Sequence, residues 1–311
     1  MAGETSDKVV VPFGESHDTR PVEPELSPPC GVDEPARQAA SFVFNVPHAG
    51  DVYPASFLEA SHLDATALRR SEDAFVDRLF AGVVSLGAPL MRARFPRAYL
   101  DLNREPYELD PRMFEGRLPP HANTRSMRVA GGLGTIPRIV ADGHDIYRER
   151  LPVAEAVRRI EALYKPYHRT LRGLLKRTTE SFGYVVLIDC HSMPSSSLAR
   201  DGRADIVLGD RYGTSCANFL TDLVDATLRA HGYTVVRNKP YAGGFITEHY
   251  GAPALGRHSL QIEVNRALYM DERALTPHAG FGRLAGDLAA VFQDVVAEID
   301  GDLAPHRIAA E

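Results

Sequence analysis

The stretch YVVLID at 184–189 constrains the fold more than any other part of the chain. Five apolar residues in succession, closed by an acid, read as a strand buried on both faces of a sheet. A long helical pattern leads into it. From about Val153 to Lys176, the residues Val157, Ile160, Tyr164, Tyr167, Leu171 and Leu174 fall on one stripe. Shorter runs repeat the theme: SFVFNV at 41–46 stops at Pro47, and Leu90–Phe95, Ile206–Leu208, Tyr233–Arg237 and Ser259–Val264 read as further strands. Phe75, Val76, Leu79, Phe80 and Val83 give helical spacing over 67–84, and helices are expected near 213–231 and 281–299. Helices and strands alternating in this way predict an α/β sandwich around a largely parallel or mixed sheet.

At 311 residues the chain could hold two domains. It shows no internal repeat and no internal linker, so a single domain over 38–311 is expected. Residues 1–37 are rich in Pro, Glu, Asp, Ser and Gly and read as an extension, loose or draped over that domain. Residues 104–146 carry many Pro, Gly and Arg without periodicity, as long functional loops do. No stretch approaches the ~18 consecutive apolar residues of a membrane span, so no membrane partner is expected. The net charge of −6 argues against nucleic acid as the main partner. No basic and apolar leader opens the chain, and free thiols fit a cytoplasmic protein. Cys30, Cys190 and Cys216 have no CxxC spacing, which removes a thiolate zinc site. Twelve histidines leave a His/carboxylate site open.

Open α/β sheets bind ligands just beyond the carboxyl ends of their strands, and four strand ends turn abruptly from apolar to reactive. Asn45-Val-Pro-His48-Ala-Gly50 places His48 beyond the first. Asp189-Cys190-His191 closes the second, where a carboxylate can hold one imidazole nitrogen and fix the tautomer for metal binding. Tyr99-Leu-Asp-Leu-Asn103-Arg104 ends in a guanidinium fork able to grip a carboxylate. In the fourth, Gln261, Glu263 and Asn265 share one strand face, opposite Leu260, Ile262 and Val264, and Arg266 follows. A third metal ligand has three candidates. Helical phase favours Glu72 over Asp73, because consecutive helical residues diverge by ~100°. Asp51 lies three residues after His48 and echoes the H-x-x-E spacing of some zinc sites. Tyr167-His168 reads as helix packing, and the Cys190 thiol should point away from the His191 face.

Taken in order, these pieces resemble the N-formylglutamate amidohydrolase family. The resemblance rests on VPHAG at 46–50, SED at 71–73, YLDLNREP at 99–106, YKPYH at 164–168, FGYVVLIDCHSMPS at 182–195, GGFITEHYG at 243–251 and LQIEVNRALYMDE at 260–272. More distantly, the layout is similar to zinc carboxypeptidases and aspartoacylases, although the carboxypeptidase H-x-x-E is missing after His48. The resemblance implies a three-layer α/β/α sandwich with a mixed sheet. It implies Zn2+, or another divalent ion, on His48, Asp73 and His191, with Glu263 as the catalytic carboxylate. Asn103 and Arg104, with Arg138 of GTIPR, become the clamp for a small carboxylate-bearing amide. The implied reaction is hydrolysis of N-formyl-L-glutamate to formate and glutamate, a reaction of histidine degradation. Two other readings stay open: a small-peptide carboxypeptidase, and a non-catalytic metal- or amino-acid-binding protein. Glu263 weighs against the second, since a binding module needs no acid/base carboxylate opposite two metal-type histidines.

Overall fold

A computed structural model of the chain describes residues 23–140, 143–198 and 204–300. Among them, seven strands form one sheet: β1 (Cys30–Asp33), β2 (Phe42–Val46), β3 (Leu90–Ala93), β4 (Val185–Met193), β5 (Ile206–Gly209), β6 (Val235–Arg237) and β7 (Arg257–Asn265). Their spatial order is β1-β3-β2-β4-β7-β5-β6. The four central strands, β3, β2, β4 and β7, run parallel, while β1 and β5 pair antiparallel to their neighbours β3 and β7. The sheet is therefore mixed, and every residue of β4 is buried, as its apolar run requires.

Period-two alternation divides the core into two layers. Phe42, Phe44, Val186, Ile188, Cys190, Leu260 and Ile262 face the helices α2 (Asn218–Ala230) and α3 (Gly280–Asp300). Val43, Met91, Val185 and Leu187 face the helix α1 (Lys165–Phe182) through Tyr167, Leu171 and Leu174. Helices on both faces give the three-layer α/β/α sandwich. Phe292 of α3 meets Phe44 edge-on, with ring centroids 4.8 Å apart, and both are fully buried. Phe292→Ala should lower stability by ~3–5 kcal/mol, read as an earlier urea midpoint at unchanged m.

Three departures from the sequence reading matter. The helical stripe from Val153 runs on to Phe182, with a wider π turn over Ile160–Tyr164. Pro166, which has no N–H and crowds the preceding turn, accounts for that widening. The helix expected over 67–84 is instead broken into Ala65–Arg69, Val76–Leu79 and a 3-10 stretch at Ala81–Leu86. Phe75 takes a left-handed φ of 66° at the break, and the Asp73 amide bonds to the carbonyl of His48 at 3.0 Å. Finally, β1 adds a strand at the sheet edge inside the segment read as an extension, and residues 1–22 lie outside the described residues. No helix among the described residues is long and apolar enough to cross a membrane.

Candidate metal centre and active site

The ends of β2, β4 and β7 deliver the site, because parallel strands bring their carboxyl ends to one edge. His48 lies two residues beyond β2. There Gly50 packs so closely that a Cβ would stand 2.2 Å from the Phe95 carbonyl oxygen. His191 and Glu263 are register partners on β4 and β7, so their side chains rise on the same face. The broken helix supplies Asp73. Its Oδ2 lies 2.9 Å from His191 Nδ1 and 3.3 Å from His48 Nδ1. All three residues are buried.

Each imidazole is held from behind by a second carboxylate. His48 Nε2 is 2.8 Å from Asp101 Oδ1, and His191 Nε2 is 2.9 Å from Asp189 Oδ2. A carboxylate on Nε2 fixes the N–H there and turns the Nδ1 lone pair inward. Asp189 is fixed in turn: Asn45 donates to its Oδ1 at 2.7 Å, and the Tyr167 hydroxyl donates to Asn45 at 2.6 Å. Asp101 also accepts from Arg97 at 2.8 Å and from the Asn103 amide at 2.9 Å.

This donor set fits a cation. Two ring nitrogens and a carboxylate oxygen converge, and His48 Nδ1 is buried with no hydrogen bond of its own. The electrostatics agree. Burial opposes charge on His191, yet Asp189 and Asp73 outweigh it and raise its pKa well above the ordinary value. Burial likewise opposes the Asp73 anion, but a hydrogen bond from His191 and the charge of the two imidazoles hold it ionised, well below the usual range. Groups that draw a proton this strongly into one place offer the same attraction to a metal ion.

A cavity of about 730 Å³ opens beside this cluster, lined by its neighbours Asp101, Ser192 and Glu263 and by five arginines, Arg97, Arg104 and Arg266 among them. Glu263 is buried and accepts from Gln261 Nε2 at 2.9 Å. Burial pushes its pKa up to about 7; Asp73 adds to the rise, while His191, Arg97 and Arg266 oppose it. Five arginines against three carboxylates make the cavity locally positive on a chain of net charge −6.

The residues expected at the site fall into two groups. His48, Asp73, His191, Glu263 and Arg104 meet here. Glu72 turns away to the Tyr53 hydroxyl, which donates at 2.6 Å, and to Arg69 at 3.2 Å; Asp51 is exposed. Helical phase favoured Glu72, but residues 71–75 are not helical, so that phase does not apply. Arg138 corrects another expectation. It is gripped by Asp110 and Asp145 and does not line the cavity. Asn103 is buried against Gly244, where a Cβ would come within 2.3 Å of its amide, and its Oδ1 accepts from the Ile246 N–H. That placement makes it a strut with its amide 3.4 Å from His191, not a cavity wall. Arg104 lines the cavity but already donates to the carbonyls of Leu133 and Asn103 at 2.8 and 2.7 Å.

His168 is the packing residue that its helix position implied. It lies between Tyr250 Oη and the Leu102 carbonyl, and burial lowers its pKa to about 3. Cys190 belongs to the opposite core layer, and burial pushes its thiol pKa up. The sequence reading missed Asp101, Arg97, Gln261, Asn45 and Tyr167 as members of the site. Asp101 was findable, since it sits two residues before Asn103 in an alternating strand-like run. Tyr167 was not, because its link runs through a buried asparagine on another element.

The sequence model of the N-formylglutamate amidohydrolase family matches residues 40–270. An N-formylglutamate deformylase of Pseudomonas aeruginosa is 31% identical over 266 residues, covering 84% of this chain and 92% of that protein. One from Pseudomonas putida is 32% identical over 235 residues, covering 74% and 82%. The crystal structure of N-formylglutamate amidohydrolase from Ralstonia eutropha superposes with a TM-score of 0.83 at 37% identity, over 88% of this chain and 98% of that one. A gene product of Agrobacterium tumefaciens shares the fold at a TM-score of 0.60 and 20% identity. On this extent of sequence and structural likeness, the chain belongs to the N-formylglutamate amidohydrolase family.

Proposed function

We propose that the protein is a zinc-dependent deformylase that cleaves N-formyl-L-glutamate to formate and L-glutamate. The observation that carries the metal reading is the convergence of His48 Nδ1, His191 Nδ1 and Asp73 Oδ2, with His48 Nδ1 buried and without a hydrogen bond. Family membership carries the substrate. His48, Asp73 and His191 would hold the ion, and three protein ligands of this kind suit Zn2+ with room for a further ligand. A divalent ion there supplies Lewis acidity, polarising the formyl carbonyl and lowering the pKa of a water.

The protein's own groups do the rest. Glu263 accepts the proton that the attacking water loses and returns it to the leaving amine, within a cavity wall that Gln261 keeps fixed. Arg104 and Arg97 in the cavity wall attract the substrate's carboxylates and hold the formamide beside Glu263. Asp101 and Asp189 keep both imidazoles in one tautomer throughout.

The test is a formate-release assay on N-formylglutamate, run beside N-acetylaspartate and short peptides, with metal content measured on the same preparation. Turnover of N-formylglutamate should exceed that of the others, fall on chelation and return on adding zinc. Peptide cleavage ahead of deformylation would favour the small-peptide carboxypeptidase reading. Bound zinc with no turnover of any of these would favour a binding protein.

A further inference from the structure

We infer that Arg266 is a positioning residue that aims the Asp73 carboxylate at the two imidazoles, although it lies in the cavity wall where an arginine would ordinarily read as a substrate anchor. The inference rests on the metal reading above.

Asp73 needs such a device. It sits on no regular element but in the turn between Ala65–Arg69 and Val76–Leu79, next to the left-handed Phe75. The peptide N–H of Asp73 is tied to the His48 carbonyl, which fixes its backbone but leaves the side chain free to rotate. Arg266 removes that freedom. Its Nη1 donates to the carbonyl of Arg70 at 3.2 Å and its Nη2 to that of Glu72 at 2.6 Å. Nη2 also lies 3.3 Å from Asp73 Oδ1, and Nε donates to Ser192 Oγ at 3.1 Å. Ser192 itself approaches Asp73 Oδ1 at 3.4 Å. One carboxylate oxygen is thus held by Arg266 and Ser192, so the other, Oδ2, is the one presented to His48 and His191.

The geometry also bridges two elements. Arg266 follows β7, Ser192 follows His191 on β4, and the carbonyls belong to the Asp73 turn. A single planar group therefore sets the turn's distance from the strand that carries His191. With Nε, Nη1 and Nη2 all engaged by the protein, the guanidinium has little left to offer a substrate carboxylate. Lysine cannot replace it, since a point charge on a flexible stem cannot span two carbonyls, a hydroxyl and a carboxylate at once.

The test measures metal affinity without substrate, by zinc competition with a chromophoric chelator, on wild type and Arg266→Lys. Support for an oriented ligand takes the form of a ~10–100-fold loss of zinc affinity in the variant, the range for groups that orient metal ligands. At saturating zinc, KM for N-formylglutamate should stay within about twofold of wild type, and added guanidinium should restore affinity to Arg266→Ala. The inference is overturned if zinc affinity is unchanged while KM rises tenfold, which is the signature of a substrate anchor. Should Arg266→Lys not fold, Ser192→Ala tests the same support and should weaken zinc binding about two- to fivefold; unchanged affinity there overturns it. Wild type that binds no zinc defeats the metal reading itself, a result separable from an equal affinity in wild type and variant.

Discussion

Glu263→Gln is expected to lower kcat by ~10²–10⁴-fold while zinc remains bound at wild-type stoichiometry. The substitution keeps the shape of the side chain and the neighbourhood of Gln261, yet removes the site that accepts a proton. It also predicts how wild-type activity depends on pH. A base must be ionised to accept a proton, and burial places the Glu263 pKa at about 7. Activity should therefore fall as pH drops through that value, because protonation fills the accepting oxygen. A cation at the neighbouring His/Asp cluster stabilises the carboxylate, which moves the acid limb of kcat/KM below pH 7 and not above it. The measurement is a pH profile of kcat/KM for wild type, with residual activity of the variant followed across the same range. A variant that retains near-normal turnover removes Glu263 from the reaction.

The second large effect separates neighbouring acids. Asp73→Asn should weaken zinc binding by at least ~100-fold and take formate release with it, since an amide is a poorer ligand and carries no charge. Glu72→Gln should leave zinc stoichiometry unchanged, because that carboxylate serves Tyr53 and Arg69 instead. Asp51→Asn should be equally silent, as Asp51 is exposed and is not part of the His/Asp cluster. Metal analysis after gel filtration, paired with the activity assay, reads all three. Zinc lost from Glu72→Gln but kept in Asp73→Asn would reverse the assignment.

How much of this was legible depended on whether a residue's role is local. His191 and Glu263 could be read because strand alternation fixes which face each side chain takes, and β4 and β7 follow it throughout. The same rule placed Cys190 on the far layer. Asp73 was not legible from periodicity. The apolar spacing over 67–84 is helical, but the Asp73 amide binds His48 across the sheet edge, and that long-range bond breaks the helix. Arg138 misled for the opposite reason: a guanidinium after GTIPR matches a clamp by type, yet Asp110 and Asp145, far off in sequence or beyond a turn, claim it first. An α/β sandwich followed from the β4 run and the long helix before it, and its three layers from the family resemblance, whereas β1 carries no apolar run that would reveal an edge strand.

The placement of Cys190 bears on which metals the proposed site could hold. A thiol one residue from an imidazole of the proposed metal site would invite soft ions such as cuprous copper, which prefer sulfur to oxygen. Here the sheet stands between them, since the thiol of Cys190 packs among Phe44, Ile188 and Ile262 on the other layer. What remains at the mouth of the site is a nitrogen and oxygen set, borderline to hard in character. The pleat of one strand would thus act as a chemical filter for the proposed site, since a one-residue slip in β4 would put sulfur where the imidazole stands.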